Sequence, residues 1–195
     1  MSTLKVIFVD TNKMKLEDIL SSSFLSEHDI ASLEKYKQEE TKKEKAYSLI
    51  LKNKYIGEYS INEFGKPVSD KTYFNISHSK GVVVFIEDTE PIGIDIELIR
   101  PIKDNLVDYI ASNEEKEYIK NETNFYEIWT NKESLTKCVG TGIKDKIKEI
   151  SSLPLTGVKE YRGKKYISRT IIYKDYVISV TRESAEPFDI IIEEN

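Results

Sequence analysis

The feature that most constrains the fold of this chain is the segment 92–98, which reads Ile-Gly-Ile-Asp-Ile-Glu-Leu. Strict alternation of aliphatic with small or acidic residues predicts a β-strand. Because successive strand side chains point to opposite faces, Asp95 and Glu97 lie together on the face opposite to the aliphatic residues. Two such carboxylates can converge on one cation, and Mg²⁺ typically takes about two carboxylates with waters and substrate phosphates. The alternative is the solvent face of an ordinary half-buried strand.

A helix predicted over residues 124–139 adds a third carboxylate. Its apolar face comprises Phe125, Ile128, Trp129, Leu135 and Val139. Lys132 lies near the middle of that face, where a lysine has to snorkel or meet an acid. Glu133 and Lys137 lie on one flank at the i, i+4 spacing. They form either a surface ion pair worth roughly 0.2–0.5 kcal/mol or part of the site that the strand carboxylates begin.

The segment 74–79, Phe-Asn-Ile-Ser-His-Ser, offers amide, hydroxyl and imidazole groups after the turn Gly65-Lys66-Pro67. Such groups bind phosphate, although a single histidine is also often structural. The sequence contains no glycine-rich phosphate loop, no Cys/His zinc cluster and no Gly-x-Ser-x-Gly elbow. Phosphate or metal chemistry therefore has to come from the segments already described.

Composition narrows the class of protein. The chain has 195 residues, with 29 basic and 34 acidic side chains, so a nucleic-acid partner is disfavoured. It has no apolar run of membrane-spanning length and no signal-peptide pattern, and Cys138 is its single cysteine. We expect a soluble cytoplasmic protein without a membrane partner. Between residues 34 and 54 seven lysines face four glutamates, which indicates either a solvated helix or a site for an anionic ligand.

The order of predicted elements indicates an α+β protein of two similar lobes, because a run of helices and strands occurs twice. One or two helices are predicted over 26–56, and further helices over 106–111, 113–120 and 124–139. The predicted strands are 4–9, 59–61, 74–77, 81–87, 92–98, 166–173, 176–181 and 189–193. A hinge is expected near residues 99–103.

Taken together, four blocks of the sequence resemble the phosphopantetheinyl transferases, specifically the surfactin-synthetase-activating type. In chain order they are 65–67 (Gly-Lys-Pro), 74–79, 92–97 (Ile-Gly-Ile-Asp-Ile-Glu) and 125–137, which includes Trp129 and the Lys132-Glu133 pair. The resemblance covers roughly residues 36–181. It implies two α+β lobes related by a pseudo-two-fold axis, with the active site at their interface. Residues 1–98 would form the lobe on the 3′-phosphate side of coenzyme A. Residues 99–195 would carry the metal-ligand helix and the carrier-protein side, and the last strand would return to the first lobe.

The resemblance also implies an activity. The family moves the 4′-phosphopantetheine arm of coenzyme A onto a serine of an apo acyl or peptidyl carrier protein and releases adenosine 3′,5′-bisphosphate. Mg²⁺ is the implied cofactor, with Mn²⁺ as an alternative, and coenzyme A is the substrate. The expected carriers serve nonribosomal-peptide, polyketide or fatty-acid synthesis, including secondary metabolism, and the expected state is a monomer.

Site residues follow from the family's motifs. Asp95, Glu97 and Glu133 match the magnesium ligands, and Lys137 matches the lysine at the pyrophosphate. Lys66, Ser77 and His78 match coenzyme A contacts, and Lys37, Lys43 and Lys52 fall near the cationic positions for the 3′-phosphate. Glu133, or a metal-bound water that it orients, is the first choice as general base, with His78 as the alternative. Lys137 would balance charge on the leaving bisphosphate.

The chain departs from the family in the helix before the Gly-Lys-Pro turn. Lys45-Ala46-Tyr47-Ser48-Leu49 stands where the family often has arginine and a Leu-Gly pair. Lysine is a point charge rather than a bidentate fork, so the grip on the 3′-phosphate is expected to be weaker or differently arranged.

The carrier would need apolar and basic contacts, for which the segment 140–148 is the candidate, although a solvated lysine face explains it equally well. The candidates there are Ile143, Lys144, Lys146, Ile147 and Lys148. Two other functions stay open: a non-catalytic module that binds coenzyme A or a carrier, and an unrelated magnesium-dependent nucleotide hydrolase.

Overall fold

The computed structural model describes residues 1–103, 105–140 and 147–195. The strands are β1 (Ser2–Asp10), β2 (Ser60–Ile61), β3 (Pro67–Val68), β4 (Tyr73–Ser79), β5 (Val82–Asp88), β6 (Ile92–Leu98), β7 (Gly157–Tyr161), β8 (Lys164–Tyr173), β9 (Tyr176–Arg182) and β10 (Phe188–Glu194). The helices are α1 (Leu16–Leu20), α2 (Glu27–Leu33), α3 (Glu39–Tyr55), α4 (Leu106–Ile110), α5 (Asn113–Tyr118) and α6 (Glu122–Val139), with single 3₁₀ turns at Thr11–Lys13 and Ile147–Glu149. The elements predicted from periodicity are confirmed, while α1, β3 and β7 were not predicted.

Two four-stranded sheets organise the chain, and the α+β class is confirmed. The first sheet has the order β10-β1-β5-β4 and the second β6-β9-β8-β7, with β2 and β3 forming a separate hairpin. β10 runs parallel to β1, and the other neighbours are antiparallel. The chain thus changes sheet between β5 and β6 and returns to the first sheet with β10. A lobe boundary at residue 98 stays a prediction.

The alternating strands divide the apolar residues between separate cores. Between the two sheets lie the even-numbered residues of β1, β5 and β6, together with β9 residues such as Ile178 and Val180. The opposite face of the first sheet packs against α3 through Phe85 and Leu51. α6 covers the second sheet, where Ile128 packs with Val177. Each sheet is therefore buried on one side by the other sheet and on the other side by a long helix.

Gly93 sets how closely α6 approaches β6. A Cβ at this position would lie 2.1 Å from the backbone oxygen of Ser134 and 2.4 Å from the amide nitrogen of Cys138. Non-bonded atoms do not approach each other this closely, so any larger residue at position 93 would push the helix away. The helix begins at an Asn121 side-chain cap and ends at Gly140, whose positive φ of 85° closes the last turn. The sequence thus fixes both the position and the length of α6.

Lys132 belongs to α6, and its ammonium group is fully buried beneath the helix. It contacts the Glu115 carboxylate at 2.6 Å and donates to the backbone oxygens of Ile110 and Ile147 at 2.7 and 3.0 Å. Of the two alternatives predicted for this lysine, the structure confirms that it meets an acid. Glu115 also accepts hydrogen bonds from the amide and hydroxyl of Ser152 at 2.9 and 2.7 Å. This polar cluster anchors α6 to the segments on both sides of it.

No helix in the described parts of the chain combines the length and apolarity that crossing a bilayer requires.

Candidate active site

The first and second sheets meet along β4 and β6. These two strands are joined by hydrogen bonds of side chains and not by the backbone pairing of a sheet. The odd-numbered residues of β4 point to β6, as the strand alternation requires. The Asn75 side-chain oxygen accepts a hydrogen bond from the Ile94 amide at 3.1 Å, and Ser79 Oγ accepts one from the Leu98 amide at 3.3 Å. The backbone amides at the unpaired edge of β6 gain hydrogen-bond partners in this way, and the polar side chains of both strands are brought together.

Asp95, Ser77 and Lys137 form the centre of this junction. Lys137 Nζ lies 2.6 Å from Asp95 Oδ1 and donates to Ser77 Oγ at 2.9 Å. Ser77 Oγ in turn donates to Asp95 Oδ1 at 2.8 Å. Asp95 is buried, and its second oxygen, Oδ2, has no hydrogen-bond partner among the residues that the structure describes. A buried carboxylate oxygen without a partner is costly unless a cation or donor reaches it.

Two further carboxylates surround this centre. Ser79 Oγ donates to Glu97 Oε2 at 2.7 Å. Burial raises the pKa of Glu97, and this hydrogen bond only partly opposes the effect. Burial and the negative charge of Asp95 raise the pKa of Glu133 to about 7, against the opposing effect of Lys137. The carboxylates therefore lie close enough to repel one another, and one ammonium group does not fully compensate for them.

The donor set of this junction fits a hard divalent cation. Asp95 Oδ2 is free to coordinate, and Glu97 and Glu133 carry the oxygen ligands that Mg²⁺ prefers. Within residues 1–103, 105–140 and 147–195, no three Asp, Glu, His or Cys side chains are already arranged as a metal-binding group. Mg²⁺ needs only about one or two protein carboxylates when phosphate oxygens and waters complete its shell. These residues could therefore hold it together with a phosphorylated substrate.

Lys66, predicted to contact coenzyme A, reaches across to the end of α6. Its Nζ donates to the backbone oxygens of Lys137 and Cys138 at 2.6 and 3.2 Å. Burial lowers the pKa of Lys66. It also lines a cavity beside Lys137, together with Pro67 and Gly140. The ammonium group thus neutralises the negative end of the helix that carries Glu133.

His78 lies on the opposite face of β4 from Ser77. Its Nδ1 is 3.0 Å from Glu44 Oε2 and its Nε2 is 2.8 Å from Lys45 Nζ. Both partners belong to α3, so His78 faces α3 and not the carboxylates of β6. The structure therefore does not bring the two predicted coenzyme A contacts, Ser77 and His78, to one surface.

His78 instead lines a cavity of about 370 Å³ beside α3, which we call the basic cavity. Its lining includes Lys35, Tyr36, Lys45, Ser48, Lys52 and His78. Burial lowers the pKa of Lys52, whose ammonium group lies 4.8 Å from the centre of the Tyr59 ring. Of the three lysines predicted at this place, Lys52 lies in the cavity wall. Lys43 pairs with Glu39 at 2.8 Å, and Lys37 is exposed between α2 and α3.

Sequence reasoning did not identify Glu44, Lys35 or Tyr36 and treated Lys45 only as a departure from the family. A usable signal existed for Lys45. Together with Ser48 and Lys52 it follows the i, i+3, i+7 spacing of one helical face. No local pattern indicates Glu44, because its partner His78 is 34 residues away in the chain.

The proposed carrier-contact segment is only partly described. Ile143, Lys144 and Lys146 lie outside the described residues. Ile147 is buried in the core beneath α6, whereas Lys148 is exposed.

Comparisons with known proteins agree with the resemblance. Residues 91–181 match the family model of the 4′-phosphopantetheinyl transferase superfamily. The 4′-phosphopantetheinyl transferase ffp of Bacillus subtilis is 38% identical over 94 residues, covering 44% of this chain and 42% of the relative. For gsp of Aneurinibacillus migulanus the identity is 37% over 89 residues, covering 42% and 38%. For Sfp of Bacillus subtilis strain 168 it is 37% over 94 residues, covering 44% and 42%.

The matched part of the chain is the part that carries the junction carboxylates and Lys137. The chain spans about two fifths of the length of these curated relatives. The resemblance to phosphopantetheinyl transferases is thus confirmed over residues 91–181, which include β6, α6 and β9.

Proposed function

We propose that this chain is a phosphopantetheinyl transferase that moves the 4′-phosphopantetheine arm of coenzyme A to a serine of an apo carrier protein. Adenosine 3′,5′-bisphosphate would be the second product. One observation supports this most strongly: Lys137 of α6 and Asp95 of β6, two elements within the matched residues 91–181, form a charged cluster with Ser77 of β4. Asp95 Oδ2, which has no hydrogen-bond partner among the described residues, would be open to a cation.

Asp95, Glu97 and Glu133 would hold Mg²⁺, with Mn²⁺ as the alternative. The bound cation would neutralise phosphate charge and polarise the phosphorus that the serine attacks. Lys137 pairs with Asp95 in the free protein and would turn to the diphosphate, where its charge balances the leaving bisphosphate. Phosphoryl transfer depends mainly on such positioning and neutralisation.

Glu133 is the residue we assign to proton transfer. In the metal-free protein burial and the charge of Asp95 raise its pKa to about 7, and a bound cation would lower this pKa, which favours a water that Glu133 orients as the route for the serine proton. It would accept the serine proton directly or through a water that it orients. His78 faces α3, so we assign it to phosphate binding rather than to proton transfer.

The basic cavity would hold the 3′-phosphate of coenzyme A. Lys45, Lys52 and His78 supply the cationic and polar groups, and Lys35 adds a further positive charge. Lys66 would contact the phosphates between this cavity and the β4–β6 junction, since its ammonium group lies beside Lys137.

We further propose that the two sheets with their helices are two lobes of similar architecture, with the active site where β4 meets β6. The partner would be an acyl or peptidyl carrier protein of nonribosomal-peptide or related synthesis, and the enzyme would act in the cytoplasm as a monomer.

The test is incubation of the protein with coenzyme A, Mg²⁺ and an apo carrier, followed by intact-mass measurement of the carrier. The proposal expects the carrier to gain one phosphopantetheine group, and to gain none when EDTA replaces Mg²⁺. Binding of coenzyme A without carrier modification would favour a non-catalytic module. Divalent-dependent hydrolysis of a nucleotide without carrier modification would favour a hydrolase.

A further inference from the structure

His78 is held between a carboxylate and an ammonium group. Its Nδ1 lies 3.0 Å from Glu44 Oε2, and its Nε2 lies 2.8 Å from Lys45 Nζ. A carboxylate can only accept a hydrogen bond, and a lysine ammonium can only donate one. This geometry assigns the imidazole hydrogen to Nδ1, which donates to Glu44, and a lone pair to Nε2, which accepts from Lys45.

Glu44 is itself fixed in place. It is 5% exposed, and its Oε1 accepts a hydrogen bond from the Gly81 amide at 2.7 Å. Burial alone would raise the pKa of Glu44, but the hydrogen bonds from His78 and Gly81 outweigh it and lower this pKa. Glu44 thus stays ionised, and its other oxygen points at the imidazole ring.

Among the described residues that line the basic cavity with His78, the other charged groups are all lysines. α3 contributes Lys45 and Lys52, and the segment after α2 contributes Lys35 with the neutral phenol of Tyr36. A phosphate that enters the cavity would meet these ammonium groups, but it would also meet the lone pair on Nε2. Two acceptors repel each other, so His78 has to gain a proton before it can bind the phosphate.

We propose that Glu44 is a positioning residue that couples phosphate binding in the basic cavity to the uptake of one proton by His78. Lys45 leaves Nε2 for a phosphate oxygen, and Nε2 takes a proton from solvent and donates it to a second phosphate oxygen. The imidazolium is then flanked by Glu44 on one side and phosphate on the other, and both anions stabilise it. The only bond that forms is the Nε2–H bond, and the only bond that breaks is the O–H bond of the solvent hydronium that supplies the proton. The inference rests on the proposed function, because that function identifies the phosphate as the 3′-phosphate of coenzyme A.

The experiment is calorimetric titration of the full chain with adenosine 3′,5′-bisphosphate at pH 8, in buffers that differ in ionisation enthalpy. The dependence of the binding enthalpy on that quantity gives the number of protons taken up. We expect about one proton for the unmodified protein, since a neutral histidine becomes charged. Adenosine 5′-monophosphate, which lacks the 3′-phosphate, should give little uptake.

The informative variant is Glu44→Gln, which keeps the shape of the side chain and removes the charge that stabilises the imidazolium. It should lose most of the proton uptake and bind the bisphosphate more weakly at pH 8, because the imidazolium loses its anionic partner. The matched control is Glu40→Gln. Glu40 lies one turn earlier on α3 and contacts Lys80 at 3.8 Å instead of His78. It should keep the uptake of the unmodified protein.

Nitrogen NMR of the imidazole rings gives an independent result that needs no variant, because His28 and His78 are the only histidines in the chain. His78 should show the Nδ1–H tautomer in the free protein and two protonated nitrogens in the complex. Bisphosphate binding without proton uptake, or equal uptake by Glu44→Gln, would overturn this inference and leave the proposed function standing. Absence of both binding and phosphopantetheine transfer would instead overturn the proposed function.

Discussion

At the scale of single residues, the ionisable side chains of this chain divide into two groups by their neighbours. Asp95, Glu97 and Glu133 lie together and perturb one another, so their charges favour a cation. Glu115 and Lys132 are buried more completely, but they satisfy each other. We expect the first group to matter for activity and the second for stability.

Asp95→Asn and Glu133→Gln should each reduce phosphopantetheine transfer by at least about 100-fold, the usual range for losing a group that stabilises or moves charge in the transition state. Neither removes much apolar contact, so both proteins should remain folded. The measurement is the initial rate of holo-carrier formation, with circular dichroism as the control for folding. Transfer at the unmodified rate by either variant would contradict the assignment.

Lys132→Met should destabilise the protein by about 3–5 kcal/mol, because it leaves the Glu115 carboxylate buried without its cation. Adding Glu115→Gln to this variant should recover part of the loss, since no charge then stays unpaired. Urea unfolding of both single variants and the double variant measures the coupling. If the loss of unfolding free energy in the double variant equals the sum of the losses in the two single variants, the two groups do not depend on each other.

At the scale of elements, the strands and long helices could be predicted because each has a clear local period. Alternation along β4 also contains the information that Ser77 and His78 face opposite sides, but the family resemblance assigned both to one ligand. The contact of Lys66 with the last turn of α6 could not be read from the sequence, because it joins residues 71 positions apart. The same holds for Glu44 and His78. Local periods predict elements and faces, whereas the partners across elements depend on packing.

Gly93→Ala tests the close packing of α6 on β6. The added Cβ would lie 2.1 Å from a backbone oxygen, so the helix has to move and overpacking should cost about 1–3 kcal/mol. Because the helix carries Lys137 and Glu133, the transfer rate of this variant should fall by more than its loss of folded protein explains. Gly163→Ala is the matched control: its Cβ would meet open space, and its φ of 75° makes it destabilising through strain alone. Equal activity of the two variants would show that the position of α6 does not matter.

At the scale of the whole molecule, the two sheets share one core, and β10 ties the end of the chain to its beginning. Composition and periodicity could not have indicated that the last strand pairs with the first one, because this pairing joins the two ends of the sequence. The buried polar groups beneath α6 are also a property of the assembled fold. Lys159 of β7 reaches the Asn131 side chain and the backbone oxygen of Ser152 there.

Lys159 should make global stability depend on pH. Burial lowers its pKa from 10.5 to about 7. Between these two values the unfolded chain binds a proton that the folded protein does not, so this lysine's contribution to the unfolding free energy rises with pH across that window. Urea unfolding at pH 7 and pH 9.5 should show a steeper rise for the unmodified protein than for Lys159→Met. The control Lys165→Met changes an exposed lysine and should keep the steeper rise. Parallel pH profiles for all three proteins would contradict burial of Lys159.

The central claim is that the β4–β6 junction transfers phosphopantetheine, and the most direct measurement is the intact mass of an apo carrier after incubation with coenzyme A and Mg²⁺. The account predicts that the carrier gains one phosphopantetheine group with the unmodified protein and stays apo with Asp95→Asn. An apo carrier in both samples, or a modified carrier in both, would contradict it.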